Sequence, residues 1–210
     1  ADMYRRFGAF QCNLLLEGFY TRLNHVFVLE EIGKDEEHNA VIKERRNGQG
    51  AEVAGVTVEG KVAYLSLVQL QAGVTWQKSH YTRPEKWSKD SSVPAEKRIF
   101  RTPDWYGYFT ATYSPVKPLN IALSGTYTGS MIVQHMKGYI PKDIAVTTPD
   151  FFDMNLKISY DFSLYKFITL QLNAGIQNIF NAYQRDFDRG KERDSGYIYG
   201  PLSLIHISEP

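Results

Sequence analysis

The sequence predicts an all-β protein, and three observations favour this fold class over a helical one. Apolar and polar residues alternate with a period of two in several segments, the connections between these segments are alternately short and long, and aromatic residues gather at the segment ends. The composition agrees, because 14% of the residues are aromatic and the chain holds 14 Tyr, 12 Phe and 16 Gly. Aromatic and β-branched residues favour strands, so composition and pattern indicate the same structure.

Seven segments carry the strand pattern. Successive side chains of a strand point to opposite faces, so the alternation predicts strands with one apolar and one polar face. The six clear segments cover residues 10–17, 56–64, 69–77, 119–128, 152–160 and 168–177. The segment 105–113 is weaker, because Tyr106 and Tyr108 share the polar face with Thr110 and Thr112. No segment repeats at helical spacing with comparable clarity.

The connections between the strands alternate in length. Short turns are expected near residues 63–66, 114–118 and 161–166, whereas long polar connections cover 33–50, 79–103, 130–149 and 183–195. Short turns at one end and long loops at the other are typical of bacterial transmembrane barrels. The sequence therefore predicts a transmembrane antiparallel up-and-down β-barrel.

Aromatic residues stand at both ends of the predicted strands. Tyr64, Tyr113 and Tyr160 close strands beside short turns, while Trp76, Trp105 and Tyr127 lie near the long connections. Amphipathic rings prefer the two membrane–water interfaces, so this placement favours two aromatic belts. No stretch approaches the roughly 18 apolar residues of a membrane helix. The mean hydropathy of −0.36 is compatible with a barrel, whose strands are apolar on one face only.

The composition argues against several other classes of function. A net charge of +1 gives no reason to expect nucleic acid as a partner, and the single Cys12 excludes an internal disulfide framework. The histidines His25, His38, His80 and His135 lie in or beside connections, without a recognisable nucleophile and carboxylate motif. Carboxylates paired for acid–base work cannot be picked out either, so we expect no enzyme and no cofactor.

The C-terminal third resembles the end of TonB-dependent outer-membrane receptors. Their penultimate strand ends in a G-x-x-N-hydrophobic-F-(N/D) pattern, and their final strand often opens with Tyr and Gly-Pro. The matching residues here are Gly175, Asn178, Ile179, Phe180 and Asn181 with Tyr183, and then Tyr197, Tyr199, Gly200 and Pro201. The segment 151–162 is similar to the family's third-from-last strand, and the overall style resembles receptors of Bacteroides-like bacteria.

The resemblance implies a function and a larger structure. It implies a receptor in the outer membrane of a Gram-negative cell that imports a scarce nutrient: an iron chelate, haem, cobalamin or a glycan. The implied partners are membrane lipid, the small-molecule or metal-chelate substrate, and a TonB-type energy-coupling protein reached through an N-terminal region. The implied fold is the plugged 22-stranded barrel. We expect residues 1–201 to form its C-terminal portion, and 202–210 (LSLIHISEP) to be a non-native tail derived from a sequencing adapter.

Candidate substrate contacts lie in the long connections. Met131, His135 and Met136 carry soft or borderline ligand atoms that could meet haem or a metal chelate. Arg185, Arg189 and Arg193 could attract an anionic chelate or contact lipopolysaccharide phosphates. The acidic run 35–38 is expected to be a solvated loop tip, and Asp186, Asp188 and Asp194 have the wrong spacing for a calcium loop. No metal site is predicted.

Two alternatives of other classes remain open at this point. A complete eight-stranded barrel with a structural or adhesive role would account for about eight strands. A soluble β-sandwich that binds a ligand would account for the alternation, although sandwiches need Greek-key crossings rather than alternating short and long connections.

Overall fold

The computed structural model describes residues 1–24, 27–35 and 40–202, and these residues form strands, turns and irregular segments. No helix of the described residues is long and apolar enough to cross a membrane. The strands are β1 (Asp2–Phe7), β2 (Phe10–Leu23), β3 (Phe27–Asp35), β4 (Ala40–Asn47), β5 (Ala51–Tyr64), β6 (Val68–Glu85), β7 (Glu96–Arg98), β8 (Trp105–Val116), β9 (Leu119–Thr128), β10 (Ile132–His135), β11 (Ile144–Thr147), β12 (Phe151–Tyr165) and β13 (Ile168–Ile176).

One antiparallel sheet organises the molecule. Its order is β1-β2-β5-β6-β8-β9-β12-β13, with β7 added beside β6, so the main strands follow one another in chain order. The hairpins β3–β4 and β10–β11 stand apart from it. In the described part of the chain the sheet ends at β1 and β13, which do not pair with each other. The strands are thus those of an up-and-down barrel whose circumference this chain leaves open, and they do not form a closed eight-stranded barrel.

The register of the sheet separates apolar from polar side chains over its whole width. Residues paired across an antiparallel ladder share a face. One row of paired positions crosses all eight main strands and holds Arg5, Cys12, Val62, Leu70, Ala111, Leu123, Leu156 and Ile176. A row on the opposite face holds Tyr4, Asn13, Lys61, Gln71, Thr110, Ser124 and Asn155. The predicted two-faced sheet is confirmed, with Arg5 as a charged exception.

Short turns lie at one end of the sheet. The three predicted turns are present, at 65–67 between β5 and β6, at 117–118 between β8 and β9, and at 166–167 between β12 and β13. A fourth was missed. Gly8 adopts a φ of 58°, which glycine accepts freely, and the chain reverses there between β1 and β2.

The long connections are more structured than the sequence predicted. The loops expected at 33–50, 79–103 and 130–149 contain β4, the end of β6 with β7, and the hairpin β10–β11. Conversely, residues 197–201, expected to open a final strand, are irregular. The short strands were not predicted because apolar and polar residues do not alternate clearly in them. The C-terminal segment packs against loops and pairs with no strand of the sheet, so it does not keep an extended conformation.

Aromatic rings mark both ends of the strands. Near the short turns, Phe10 contacts Tyr64 with ring centroids 4.6 Å apart. Near the loops, Trp76 faces Trp105 at 6.3 Å, and Phe152 lies 5.7 Å from Phe180. The two aromatic groups lie where the sequence predicted belts.

Glycines on the sheet leave room for rings of the neighbouring strand. A Cβ at Gly125 would lie 2.2 Å from the Phe109 ring, and one at Gly73 would lie 2.7 Å from Tyr108. The backbone of each glycine is therefore covered by an aromatic side chain, which fixes the ring against the sheet. By contrast, a Cβ at Gly60 would meet no atom within 4 Å.

Candidate functional site

The loop end of the sheet carries a small folded unit, which we call the loop cap. It consists of the hairpin region 131–148 and the C-terminal segment 183–201. Its apolar centre is formed by Met131, Val133 and Tyr197, with Val146 and Tyr199 packed against it. Because the apolar face of the sheet is exposed in this chain, the loop cap holds the main buried apolar cluster of the described residues.

A histidine–aspartate pair lies at the centre of the loop cap. His135 Nε2 is 2.8 Å from Asp188 Oδ2, and their side chains are only 8% and 1% exposed. The His135 ring stacks on Tyr197 at 3.7 Å between centroids with an interplanar angle of 6°. Asp188 also accepts a hydrogen bond from the backbone N–H of Asp194. The pair therefore joins β10 to the C-terminal segment in a largely buried site.

Two tyrosines of the C-terminal segment bind one aspartate of the same segment. The hydroxyls of Tyr197 and Tyr199 donate to the two oxygens of Asp186, the first at 2.7 Å. Burial, followed by the hydrogen bond to Asp186, raises the pKa of both tyrosines well above their usual range. Burial alone would raise the pKa of Asp186, but the hydrogen bonds from Tyr199 and Tyr197 outweigh it and lower that pKa. At neutral pH the cluster therefore consists of a charged Asp186 carboxylate that accepts hydrogen bonds from two neutral tyrosine hydroxyls.

Arg101 joins the connection after β7 to both halves of the loop cap. Its backbone lies in the left-handed region at φ 59°, and its N–H donates to the Ile132 carbonyl at 2.8 Å. Its guanidinium donates to the carbonyls of Ile198, at 2.7 Å, and Gly196. Charge-assisted hydrogen bonds to two carbonyls hold the C-terminal segment in place.

Gln184 has a similar role that the sequence did not reveal. It is almost fully buried, its amide donates to the Tyr197 carbonyl at 3.0 Å, and its side-chain oxygen accepts from the Tyr199 N–H at 3.0 Å. Its backbone N–H donates to the Pro201 carbonyl at 2.8 Å. A lone glutamine in a polar loop carries no pattern, so its burial follows only from tertiary packing.

The structure distributes the predicted contact residues over two environments. Met131 and His135 are buried in the loop cap, whereas Met136 is exposed and its N–H donates to Asp194. Because Met131 and His135 are buried whereas Met136 is exposed, the three side chains do not share one environment. No three His, Cys, Asp or Glu side chains of the described residues lie together so as to hold a metal ion. Positions 36–38 of the acidic run lie outside the described residues.

The predicted arginines lie on the surface of the same segment. Arg185, Arg189 and Arg193 are all exposed, and the Arg185 guanidinium lies 5.4 Å from the Tyr183 ring centroid. The structure therefore brings the three cations to one exposed loop, while it buries the histidine and one methionine beneath it.

The family-like motif forms a locked turn at the end of β13. Asn178 has a φ of 49°, its amide donates to the Ala182 carbonyl at 3.0 Å, and its side-chain oxygen accepts from the Ala182 N–H at 2.8 Å. Asparagine tolerates this backbone region, and its amide supplies both bonds. Gly175 and Gly200 are required by close approach, because a Cβ would lie 2.8 Å from the Leu156 carbonyl oxygen and 2.5 Å from the Phe151 ring. These residues have a structural role.

The fold and the loop cap together define a class of protein. A sheet with one apolar and one polar face, aromatic groups at both ends, short turns on one side and folded loops on the other is the wall of a transmembrane β-barrel. The family model described as TonB dependent receptor-like, beta-barrel, matches residues 5–179. The chain belongs to this family, which groups it with receptors and transporters rather than with enzymes.

A solved structure of a known receptor shares the fold. A mutant of the ferric enterobactin receptor PfeA from Pseudomonas aeruginosa is similar with a TM-score of 0.54 and 16% sequence identity. The similarity covers 95% of this chain and 27% of that receptor, so the chain spans about a quarter of the receptor's length. No curated protein sequence matches the chain.

Proposed function

We propose that this chain forms part of the barrel of an outer-membrane receptor that binds a scarce nutrient outside a Gram-negative cell and imports it. The observation that carries the proposal is the family match over residues 5–179, on a sheet that has a lipid-compatible face. The polar face then lines the lumen through which the nutrient passes. The substrate belongs to the compounds too large or too rare for passive pores: an iron chelate, haem, cobalamin or a glycan.

The loops of the long-connection end provide the first contact with the substrate. The exposed Arg185, Arg189 and Arg193 present guanidinium groups on this surface, which suit the anionic groups of a chelate. Exposed Met136 lies beside them in the fold, through its bond to Asp194. We assign Met131 and His135 to the support of this surface, since both are buried beneath it.

Energy for release into the cell comes from a TonB-type partner in the inner membrane. A plug inside the barrel, supplied by a region outside this chain, closes the lumen until the partner displaces it. The amide and hydroxyl groups of the inner wall, among them Gln71, Thr110 and Ser124, offer such a plug hydrogen-bonding partners.

Expression of the complete reading frame in a Gram-negative host tests the proposal. The protein should appear in the outer-membrane fraction, and uptake of its substrate should stop when the coupling protein is deleted. The triple variant Arg185→Gln, Arg189→Gln, Arg193→Gln should weaken the binding of an anionic substrate, whereas Arg22→Gln, an exposed arginine paired with Glu52, should not. Protein found in the aqueous fraction, or uptake that persists without the coupling protein, would refute the proposal.

A further inference from the structure

A recess of about 570 Å³ lies at the short-turn end of the sheet, in a step between two neighbouring hairpins. The ladder between β12 and β9 ends at Tyr160 and Leu119, and the Asp161 N–H then donates to the Pro118 carbonyl at 2.9 Å. β12 continues to Tyr165, so its last residues extend past the turn between β8 and β9, beside no other described strand on that side. The recess therefore lies where the longer hairpin β12–β13 passes the end of the shorter hairpin β8–β9.

One wall of the recess is apolar and continues the apolar face of the sheet. Tyr160, Phe162 and Leu164 line this wall, and all three are exposed. Tyr160 and Phe162 pair across the ladder with Leu172 and Leu170, which belong to the apolar face. A contiguous exposed apolar surface marks a place of contact with a membrane or a partner. Because this wall is continuous with the face that lipid covers in a barrel, it suits the acyl chains of a membrane lipid.

The short turns beside the recess have apolar tips. Leu65 is 63% exposed and Phe167 is 97% exposed, although turns in water favour Gly, Asn and Asp. The four short turns hold two lysines, Lys117 and Lys166, and no acidic residue. Apolar side chains mixed with lysines are typical of the lipid headgroup layer, where the lysine stem lies against apolar groups and the ammonium reaches the phosphates. This end of the sheet is therefore suited to the headgroup layer.

Lys117 brings a cation to the recess. Its side chain is exposed, lines the recess and forms no ion pair with a described residue. Asp161 also lines the recess, but its Oδ1 accepts a hydrogen bond from the Gln171 amide at 2.8 Å. Gln171 belongs to β13, on the other side of β12 from Lys117, so the carboxylate is held away from the ammonium. The Lys117 ammonium is thus left for an anionic occupant.

Backbone and hydroxyl donors lie on the same side of β12. Alternate residues of a strand direct their N–H groups to the same side, so the Ser163 N–H faces the step, as the Asp161 N–H does. The Ser163 hydroxyl lines the recess and has no hydrogen-bond partner among the described residues. An ammonium, a hydroxyl and a backbone N–H around one recess match the acceptor oxygens of a phosphate.

We propose that this recess binds a membrane phospholipid, with Lys117 and Ser163 as donors to its phosphate and with Phe162 and Leu164 against its acyl chains. A lipid is favoured over a soluble phosphate or a protein because the apolar wall continues the face that lipid covers. The proposal rests on the outer-membrane location proposed above, and it places the site in the leaflet that borders the periplasm, where short turns lie.

Dioleoylphosphatidylglycerol and dioleoylglycerol are suitable probes, because they share their acyl chains and only the first carries a phosphate. Each is titrated against the complete protein in detergent micelles, with native mass spectrometry to count bound lipid and hydrogen exchange measured in parallel. Lys117→Gln removes the cation and Lys117→Arg retains it. Lys166→Gln is the matched control, because Lys166 is an exposed lysine of the neighbouring turn that does not line the recess.

The phospholipid should bind about fivefold or more tightly than dioleoylglycerol, and its binding should slow exchange at the Ser163 N–H. Lys117→Gln should remove most of this preference, whereas Lys117→Arg and Lys166→Gln should keep it. A preference that survives Lys117→Gln, equal losses in Lys117→Gln and Lys166→Gln, or unchanged exchange at Ser163 would overturn the proposal.

The failure of this site is distinguishable from the failure of the proposed location. A protein that enters neither micelles nor bilayers would contradict both proposals. A protein that is embedded in bilayers but gives one of the overturning results would contradict the lipid site alone.

Discussion

His135→Phe tests whether the buried histidine–aspartate pair holds the loop cap together. Phenylalanine keeps a ring to stack on Tyr197, so the main change is the loss of the group that lies 2.8 Å from Asp188 Oδ2. Asp188, 1% exposed, then keeps the hydrogen bond from the Asp194 N–H but has lost its side-chain partner His135. The free energy needed to open the loop cap should fall by about 2–4 kcal/mol. This range lies between the cost of losing one charged hydrogen bond and the cost of breaking a buried ion pair.

Hydrogen exchange measures this change in the complete protein. The backbone N–H of Thr148 donates to the Met131 carbonyl at 2.8 Å and reports on the loop cap away from the mutated side chain. A loss of 2–4 kcal/mol corresponds to exchange that is about 30- to 1000-fold faster at this amide. Amides of β9 serve as the internal control and should be unchanged.

The double variant His135→Phe, Asp188→Leu separates the pair from simple disruption. Replacing both polar partners by apolar side chains removes the uncompensated charge, so most of the lost protection should return. Unchanged exchange at Thr148 in His135→Phe, or a double variant that is less protected than the single one, would contradict the role given to the pair.

Three further predictions concern the sheet and the motif. Asn178→Ala should lower the free energy of local opening of residues 178–182 by about 2 kcal/mol, seen as faster hydrogen exchange, since the turn loses two hydrogen bonds and a residue that tolerates positive φ. Unchanged exchange would show that Asn178 does not hold the turn. Gly125→Ala should destabilise the folded barrel by about 1–3 kcal/mol in denaturant titration, whereas Gly60→Ala, where a Cβ meets open space, should not; equal effects would contradict the packing. Leu123→Arg should cost about 2–4 kcal/mol in lipid bilayers and Ser124→Arg about 0–1 kcal/mol, and the reverse order would mean that the faces are misassigned.

The regular part of the fold was predictable because one physical constraint acts on every residue of it. A strand between lipid and a hydrated lumen must alternate, so the faces of β6, β9, β12 and β13 could be read from single residues such as Leu70 and Gln71. The short turns followed from the places where this alternation stops. The turn at Gly8 was missed because the short strand before it carries Tyr4 and Arg6 on one side and Arg5 on the other, without a clear apolar face.

The loop cap was not predictable, because its residues are fixed by contacts between distant segments. Arg101 and Gln184 are ordinary polar residues in the sequence, and only the approach of 196–201 gives them their partners. His135 was chosen as a candidate ligand on its chemistry alone. Nothing in its neighbourhood in the sequence indicates that Asp188, 53 positions further along the chain, lies within hydrogen-bond distance of its Nε2.

Spin-label accessibility at Leu70 and Gln71 tests the two-sided wall most directly. In a Cys12→Ser background, nitroxides at Leu70→Cys and Gln71→Cys of the complete, membrane-embedded protein are exposed to oxygen, which concentrates in lipid, and to a neutral nickel chelate, which stays in water. The label at position 70 should relax mainly with oxygen and the label at 71 mainly with nickel. Equal responses at both positions, or the opposite order, would contradict a barrel wall with lipid on one face and the lumen on the other.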